Sequence, residues 1–147
     1  MCGIVGISGK FSEVDLIKAT KSLNHRGPDD SGTYINREQK IGLGHTRLSI
    51  IDLSPLGHQP MLSNDESVVL VFNGEIYNFL DLRDQLEKKG YVFEGKSDTE
   101  VVLNMYLEFG IECLSYLNGI FGLAIFDQKS NNLYLARDAL GVKPIYY

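Results

Sequence analysis

Residues 67–73, SVVLVFN, form the strongest β-strand signal in this 147-residue sequence. A nearly continuous apolar run of this length is typical of a strand that is covered on both faces. A helical pattern follows in residues 78–89, NFLDLRDQLEKK, where Phe79, Leu82 and Leu86 are spaced at i, i+3 and i+7. The centre of the chain is therefore predicted to be a buried strand that leads into an amphipathic helix.

Helix and strand patterns continue on both sides of this centre. Residues 13–23 predict a first helix, and a further helix is predicted after Ser97, with Glu100 at the spacing of a capping box. Residues 24–32, NHRGPDDSG, predict a loop. Strands are predicted in residues 2–8, 33–36, 40–50, 119–127 and 132–138, the last two as a hairpin. Strands on both sides of two central helices predict an α+β fold in which sheets are covered by helices.

The composition narrows the class of protein. A net charge of −5 and a pI near 5.1 argue against a nucleic-acid or membrane surface as partner. Two cysteines, Cys2 and Cys113, are too few for a disulfide framework, so a cytoplasmic location is predicted. The three histidines lack the spacing of metal ligands, and no metal site is predicted.

The chain begins MCGIVGIS, with a cysteine directly after the initiator methionine. In one interpretation Cys2 is a small residue that is buried at the start of a strand. In the other, removal of Met1 leaves Cys2 with a free α-amine, whose ordinary pKa is about 7.7–8.0. Such an amine serves as general base for the thiol of the same residue. Cys2 is therefore a candidate nucleophile.

The segment 71–79, VFNGEIYNF, also has two interpretations. Asn-Gly between apolar runs is the usual signal of a two-residue hairpin turn. Alternatively, the Asn73 side-chain amide and the Gly74 N–H form an oxyanion hole, with Glu75 beside them as a ligand for a substrate ammonium group. The helical pattern that follows directly weakens the hairpin interpretation.

Two further charged residues are candidates for substrate binding. Asp98 stands next to the predicted helix cap, where a carboxylate stabilises the helix dipole or binds a substrate cation. Arg47, in GHTRLSIID, is either an ordinary paired arginine or a clamp for a carboxylate.

Several of these segments together resemble the glutaminase domain of the class II, or N-terminal nucleophile (Ntn), glutamine amidotransferases. The resemblance rests on MCGIVG, NHRGPDDSG, GHTRLSIIDLSPLGHQPM, FNGEIYN, SDTE, LNGIFGLAIFD and ARDALGVKPIYY, which occur in this order over nearly the whole chain. Within this superfamily, RGPD, RLSIIDLS and NGEIYN resemble the glutamine-hydrolysing asparagine synthetases.

The resemblance implies a role for each candidate. Cys2 would attack the side-chain amide of L-glutamine, and Asn73 and Gly74 would stabilise the oxyanion. Arg47 would bind the glutamine α-carboxylate, and Glu75 and Asp98 its α-ammonium group. Ile50 and Ile51 would line the pocket. The implied products are glutamate and ammonia, formed through a γ-glutamyl thioester.

The resemblance also implies an Ntn-hydrolase αββα sandwich over residues 1–147, with its last strands and an ATP-dependent synthetase domain missing. No cofactor is expected in this chain, because ATP and magnesium would belong to that synthetase domain, which would act in cis and pass the ammonia to activated aspartate. A homodimer is compatible with this interpretation. Two alternatives remain open: amidation of a sugar or surface-polymer precursor, and a non-catalytic fragment.

Overall fold

The structure is a computed structural model that describes residues 2–147. Its regular elements are β1 (Gly3–Ser8), α1 (Glu13–Ser22), β2 (Asp30–Asn36), β3 (Ile41–Arg47), β4 (Met61–Leu62), β5 (Val68–Ile76), α2 (Phe79–Lys88), α3 (Asp98–Phe109), β6 (Gly119–Asp127) and β7 (Asn132–Arg137). Short 3₁₀ helices lie at Pro55–Gly57 and Gly110–Tyr116.

The strands form two antiparallel sheets. The first sheet has the order β1-β3-β2, and the second has the order β4-β5-β6-β7. Apolar residues of β3, β5 and β6 pack between the two sheets, while α2 and α3 pack on the outer face of the second sheet. Helix α1 lies against the first sheet. The layers are therefore α, β, β and α, and the predicted α+β sandwich of the Ntn hydrolases is confirmed.

Strand β3 shows how the sequence separates the two faces of the first sheet. Ile41 and Leu43 belong to the core between the sheets. Gly42 and Gly44 alternate with them, and a Cβ atom at either position would collide with α1 or with Phe11 just before it. Because side chains alternate across a strand, small residues at every second position let α1 pack closely on β3.

Strand β5 lies at the centre of the molecule, as its sequence predicts. Val68, Leu70 and Phe72 face the core under α2 and α3, whereas Val69 and Val71 face the core between the sheets. Both faces of β5 are thus covered, which is why this stretch is apolar at nearly every position.

Some local predictions need correction. The strand predicted over residues 2–8 begins at Gly3 and is only partly buried, because β1 is an edge strand. The predicted loop 24–32 ends early, since Asp30 already starts β2. The capping box at α3 is half formed: Ser97 accepts the Glu100 N–H at 3.2 Å, whereas the Glu100 carboxylate accepts N–H groups of residues 94 and 95 instead. The hairpin of β6 and β7 is confirmed.

Candidate active site

A cleft opens where the core between the two sheets changes from apolar to polar. On β5, the face that carries Val69 and Val71 continues with Asn73 and Glu75. On β3, the face that carries Leu43 continues to Arg47. The alternation of side chains along both strands therefore brings polar groups together at one end of the core.

The cleft brings together all the residues that the sequence singles out for catalysis and substrate binding. Its lining includes Cys2, Arg47, Ile50, Ile51, Asn73, Gly74, Glu75 and Asp98. These residues come from the start of the chain, the end of β3, the loop after it, the end of β5 and the start of α3. No two of these segments are adjacent in the sequence except the end of β3 and its loop, so only the folded chain creates the cluster.

Hydrogen bonds hold both the side chain and the backbone carbonyl of Cys2. The Leu48 N–H donates to its Sγ atom at 3.4 Å. The Arg26 Nε–H donates to the Cys2 carbonyl oxygen at 3.1 Å. Cys2 is half-buried and unpaired, so its thiol reaches the cleft from a fixed backbone. The predicted α-amine of Cys2 depends on removal of Met1, which lies outside the described residues.

The register of β5 and β6 sets the direction of the Gly74 N–H. Opposite Gly74 lies Phe121. The Phe121 carbonyl accepts the Asp138 N–H at 2.8 Å, and the Phe121 N–H donates to the Asp138 carboxylate at 3.3 Å. Both polar backbone groups of Phe121 thus point away from β5, so Gly74 and Phe121 form a non-hydrogen-bonded pair. The Gly74 N–H consequently points to the other edge of β5.

Among residues 2–147, no strand pairs with that edge of β5 beyond the two-residue strand β4. Side chains accept two of its N–H groups: the Gln59 Oε1 atom accepts from Phe72 at 2.6 Å, and the Asp98 Oδ2 atom accepts from Ile76 at 3.0 Å. The Gly74 N–H lies between these two, on the part of the edge that borders the cleft. It is therefore placed to donate to a bound oxygen atom.

The hairpin interpretation of Asn73 and Gly74 is wrong. Both residues lie inside the nine-residue strand β5, paired with Gly122 and Phe121. A Cβ atom at position 74 would collide with the Ile120 carbonyl oxygen and with Phe121. Glycine is required here because the neighbouring strand approaches closely, and no turn is formed.

Arg47 is buried and partly engaged. Its Nη1 atom donates to the Ser54 carbonyl at 2.9 Å, and its Nη2 atom donates to the Asp52 carbonyl. A guanidinium group has five N–H donors, so others remain for a ligand. Gly57 lies against the guanidinium, and a Cβ atom there would collide with it. The loop after β3 thus fixes the arginine at the border of the cleft.

The lining of the cleft contains the carboxylates of Asp52, Glu75 and Asp98. Asp98 is only 5% exposed, and burial raises its pKa to about 6, although the N–H groups of Ile76 and Thr99 lower it. The charge of the exposed Glu75 raises the pKa of Asp98 further. Burial without a cation nearby raises the free energy of the ionised Asp98 carboxylate. A ligand cation that binds beside it compensates this charge, so the site favours a cationic ligand group.

Ile50 is 70% exposed and forms part of the apolar rim of the cleft.

The structure adds three residues that the sequence interpretation missed. Arg26 contacts the Cys2 carbonyl, Gln59 contacts Phe72, and the His45 Nε2 atom lies 3.1 Å from the Phe72 carbonyl oxygen. All three lie in motifs that carry the family resemblance, but their partners are distant in sequence. Contacts of this kind are not encoded by local spacing.

Within residues 2–147, no group of three or more His, Cys, Asp or Glu side chains lies close enough to bind a metal ion. Over the same range, none of the helices combines the length and the hydropathy that a membrane crossing requires.

Known proteins resemble this chain in sequence and in fold. The sequence profile of the glutamine amidotransferase domain matches residues 1–147, the whole chain. The chain belongs to the glutamine amidotransferase domain family. "Asparagine synthetase [glutamine-hydrolyzing] 1" of Bacillus subtilis is 43% identical over 154 residues, which cover 100% of this chain and 24% of that protein. "Asparagine synthetase [glutamine-hydrolyzing] 1" of Arabidopsis thaliana is 38% identical over 151 residues, which cover 99% of this chain and 25% of that protein.

The fold of this glutamine amidotransferase domain also matches a solved structure. The glutamine phosphoribosylpyrophosphate amidotransferase of Bacillus subtilis superposes with a TM-score of 0.79 at 22% identity. The match covers 94% of this chain and 37% of that one. The fold of this chain is thus shared with that amidotransferase. The chain spans only about a quarter of the length of the two asparagine synthetases above.

Proposed function

We propose that this chain is a glutaminase domain that hydrolyses L-glutamine to glutamate and ammonia, with Cys2 as nucleophile. The observation that carries this proposal is the shared cleft of Cys2, Gly74 and Asp98, in which a thiol, an outward N–H and a buried carboxylate face one space. Membership of the amidotransferase family supports the same reaction.

The charged groups of the cleft fit the polar ends of glutamine. The free N–H donors of Arg47 bind the α-carboxylate, and Asp98 and Glu75 bind the α-ammonium group. Ile50 and Ile51 cover the aliphatic part of the substrate. This orientation directs the side-chain amide of glutamine toward Cys2.

In the first half-reaction, the Cys2 Sγ atom forms a bond to the amide carbon of glutamine. The α-amine of Cys2, exposed once Met1 is removed, takes the thiol proton and passes it to the leaving nitrogen. The Asn73 amide and the Gly74 N–H donate to the oxyanion of the tetrahedral intermediate. Breakage of the C–N bond releases ammonia and leaves a γ-glutamyl thioester on Cys2.

In the second half-reaction, water replaces ammonia. The α-amine removes a proton from the water, whose oxygen attacks the thioester carbon, and the same two donors stabilise the second oxyanion. Breakage of the C–S bond returns the proton to Cys2 and releases glutamate. The carbon skeleton of glutamine is thus conserved, and one water is consumed for each ammonia released.

We further propose that the ammonia serves asparagine synthesis, since the relatives named above are asparagine synthetases. The acceptor would be an activated aspartate in a synthetase domain of the same protein. ATP and magnesium would bind to that domain, and the glutaminase step itself would use neither.

Glutamate release from L-glutamine by the purified protein tests the proposed function. Wild-type protein should turn over, and Cys2→Ala should be inactive. The matched control is Cys113→Ala, because burial raises the pKa of Cys113 to about 12 and that thiol lies in the core. Activity that survives Cys2→Ala would exclude the mechanism.

A further inference from the structure

Two buried side chains hold the backbone of the residue that precedes the two oxyanion donors. Phe72 directly precedes Asn73 in β5. Its N–H donates to the Gln59 Oε1 atom at 2.6 Å, and its carbonyl oxygen lies 3.1 Å from the His45 Nε2 atom. Neither partner belongs to the sheet that contains Phe72, so β5 is fixed here by side chains in place of a neighbouring strand.

The end of β4 explains why side chains are needed. Strand β4 pairs with β5 only through Met61 and Leu62, which lie opposite Leu70 and Val69. Pro60 precedes β4 and has no N–H to donate to a ladder. Beyond Leu70, no strand within the described part of the chain pairs with this edge of β5, and Gln59 and His45 bind the N–H and C=O groups of Phe72 instead.

Both side chains are buried, and one accepts a hydrogen bond from Phe72 while the other donates one to it. Gln59 is 4% exposed and His45 is 1% exposed. A backbone carbonyl can only accept, so the His45 Nε2 atom carries the proton and donates. Burial lowers the pKa of His45 to about 4, which keeps the ring neutral and this assignment stable at neutral pH. The Gln59 amide nitrogen lies 3.4 Å from the Thr99 Oγ1 atom, next to Asp98.

We propose that Gln59 and His45 are positioning residues, which hold the two peptide units on either side of the Phe72 Cα atom and thereby aim the Asn73 amide and the Gly74 N–H into the cleft. The inference rests on the proposed glutaminase function, since it concerns the same oxyanion site. Neither residue has to contact the reacting atoms. A displacement of about 1 Å at a catalytic group lowers a rate by about 10²-fold, so a loose Phe72 peptide would impair the oxyanion hole.

The test compares variants of the two residues by glutamate release. Gln59→Met removes the acceptor but keeps the length of the side chain, and His45→Leu removes the donor. Each should lower kcat by about 10- to 100-fold with little change in KM for glutamine, because the groups that bind the ends of glutamine are unchanged. His45→Gln, which can place an N–H near the position of the Nε2 atom, should recover most of the activity.

A double-variant cycle separates positioning from general stability. In an Asn73→Ala background only the Gly74 N–H is left for Gln59 to position, so Gln59→Met should lower kcat by less than it does alone. A full, multiplicative loss in that background would overturn the inference, as would an unchanged kcat in Gln59→Met. If Gln59→Met does not fold, the same cycle is run with His45→Leu and His45→Gln, and equal activities of these two would also overturn it.

The cycle distinguishes this inference from the proposed function. An Asn73→Ala variant with wild-type kcat would contradict the oxyanion role and hence the proposed function. A slow Asn73→Ala variant together with fully active Gln59→Met and His45→Leu variants would leave the proposed function intact and remove only the positioning roles.

Discussion

The Oδ2 atom of Asp98, the first residue of α3, accepts a hydrogen bond of 3.0 Å from the backbone N–H of Ile76, the last residue of β5. This contact joins the N-terminus of a helix to the open edge of the central strand. The buried Asp98 carboxylate is thus bonded to a residue that follows Gly74 by two positions in the sequence. Burial raises the pKa of Asp98 to about 6, so the charge of this group changes within an experimentally accessible pH range.

The first prediction concerns the pH dependence of glutamine turnover. If Asp98 binds the substrate α-ammonium group, only its ionised form is productive, and kcat/KM should fall by an additional factor of about ten per pH unit below about pH 6. The pH profile of kcat/KM measures this. Asp98→Asn should lower kcat/KM by about 10- to 100-fold at pH 7 and should lack the inflection.

Glu75→Gln is the matched control for this profile. Its carboxylate raises the pKa of Asp98, so the variant should keep the inflection and shift it to lower pH. An inflection that persists near pH 6 in Asp98→Asn would assign it to a different group.

The second prediction concerns stability. The pKa of Asp98 in the folded chain, about 6, lies above the ordinary value of 3.8, so the folded state binds this proton more tightly than the unfolded state. The ionised carboxylate therefore reduces stability at pH 7, and the loss is relieved as the pH falls through 6 toward 3.8. Asp98→Asn, which keeps an acceptor for Ile76, should be more stable than wild type at pH 7, by up to about 3 kcal/mol.

Urea unfolding at pH 7 and pH 4 measures the free energy of unfolding of both proteins, and the difference between them should largely vanish at pH 4. A variant that is less stable than wild type at pH 7 would show that the buried charge is compensated.

The third prediction concerns the contact between Gly57 and Arg47. A Cβ atom at position 57 would collide with the guanidinium, which the carbonyls of Ser54 and Asp52 hold in place. Gly57→Ala should displace Arg47 and raise KM for glutamine by about tenfold or more, because a charge-assisted contact with the α-carboxylate is lost. Steady-state kinetics measure it. Gly6→Ala serves as control, since its Cβ atom would meet Leu43 at an ordinary 3.5 Å, and its KM should stay unchanged. Equal KM values for the two variants would show that Arg47 does not bind the substrate.

The fourth prediction compares two glycines in the paired strands β5 and β6. A Cβ atom on Gly74 would collide with backbone atoms of β6, which cannot move without breaking the ladder. Gly74→Ala should destabilise the fold by about 1–3 kcal/mol and abolish turnover. Gly122→Ala should be tolerated, because the nearest atoms to its Cβ atom would be side-chain atoms of Ile145, at 3.4 Å, and of Lys143. Thermal unfolding and glutamate release test both. An active and stable Gly74→Ala variant would contradict the close approach of the strands.

The sequence predicted the layers of this fold well, and the reason is visible in β5. Its apolar run predicts that both faces of the strand are covered, and the helical spacing after it predicts α2. The Asn73–Gly74 pair was ambiguous, because the signal for a hairpin turn is the same dipeptide that here lies within a strand. Only the approach of Phe121 and Ile120 to Gly74 resolves it, and that contact spans more than forty residues.

The sequence predicts which residues form the candidate site, but it does not predict the residues that contact the backbone of that site. The candidate nucleophile, the candidate donors and the charged groups have chemical types that suggest roles, and the cleft contains them all. Gln59 and His45 contact only the backbone of Phe72, so their residue types alone do not indicate the contact. Arg26 likewise contacts only a carbonyl, that of Cys2.

The covalent intermediate on Cys2 provides the most direct test of the central claim. The protein is mixed with L-glutamine, quenched in acid during turnover, digested and analysed by mass spectrometry. We predict an adduct with the mass of glutamine less ammonia on a peptide that starts at Cys2, absent from Cys2→Ala and retained in Cys113→Ala. Turnover without this adduct, or an adduct on a peptide that still carries Met1, would contradict an N-terminal cysteine that acts as both nucleophile and base.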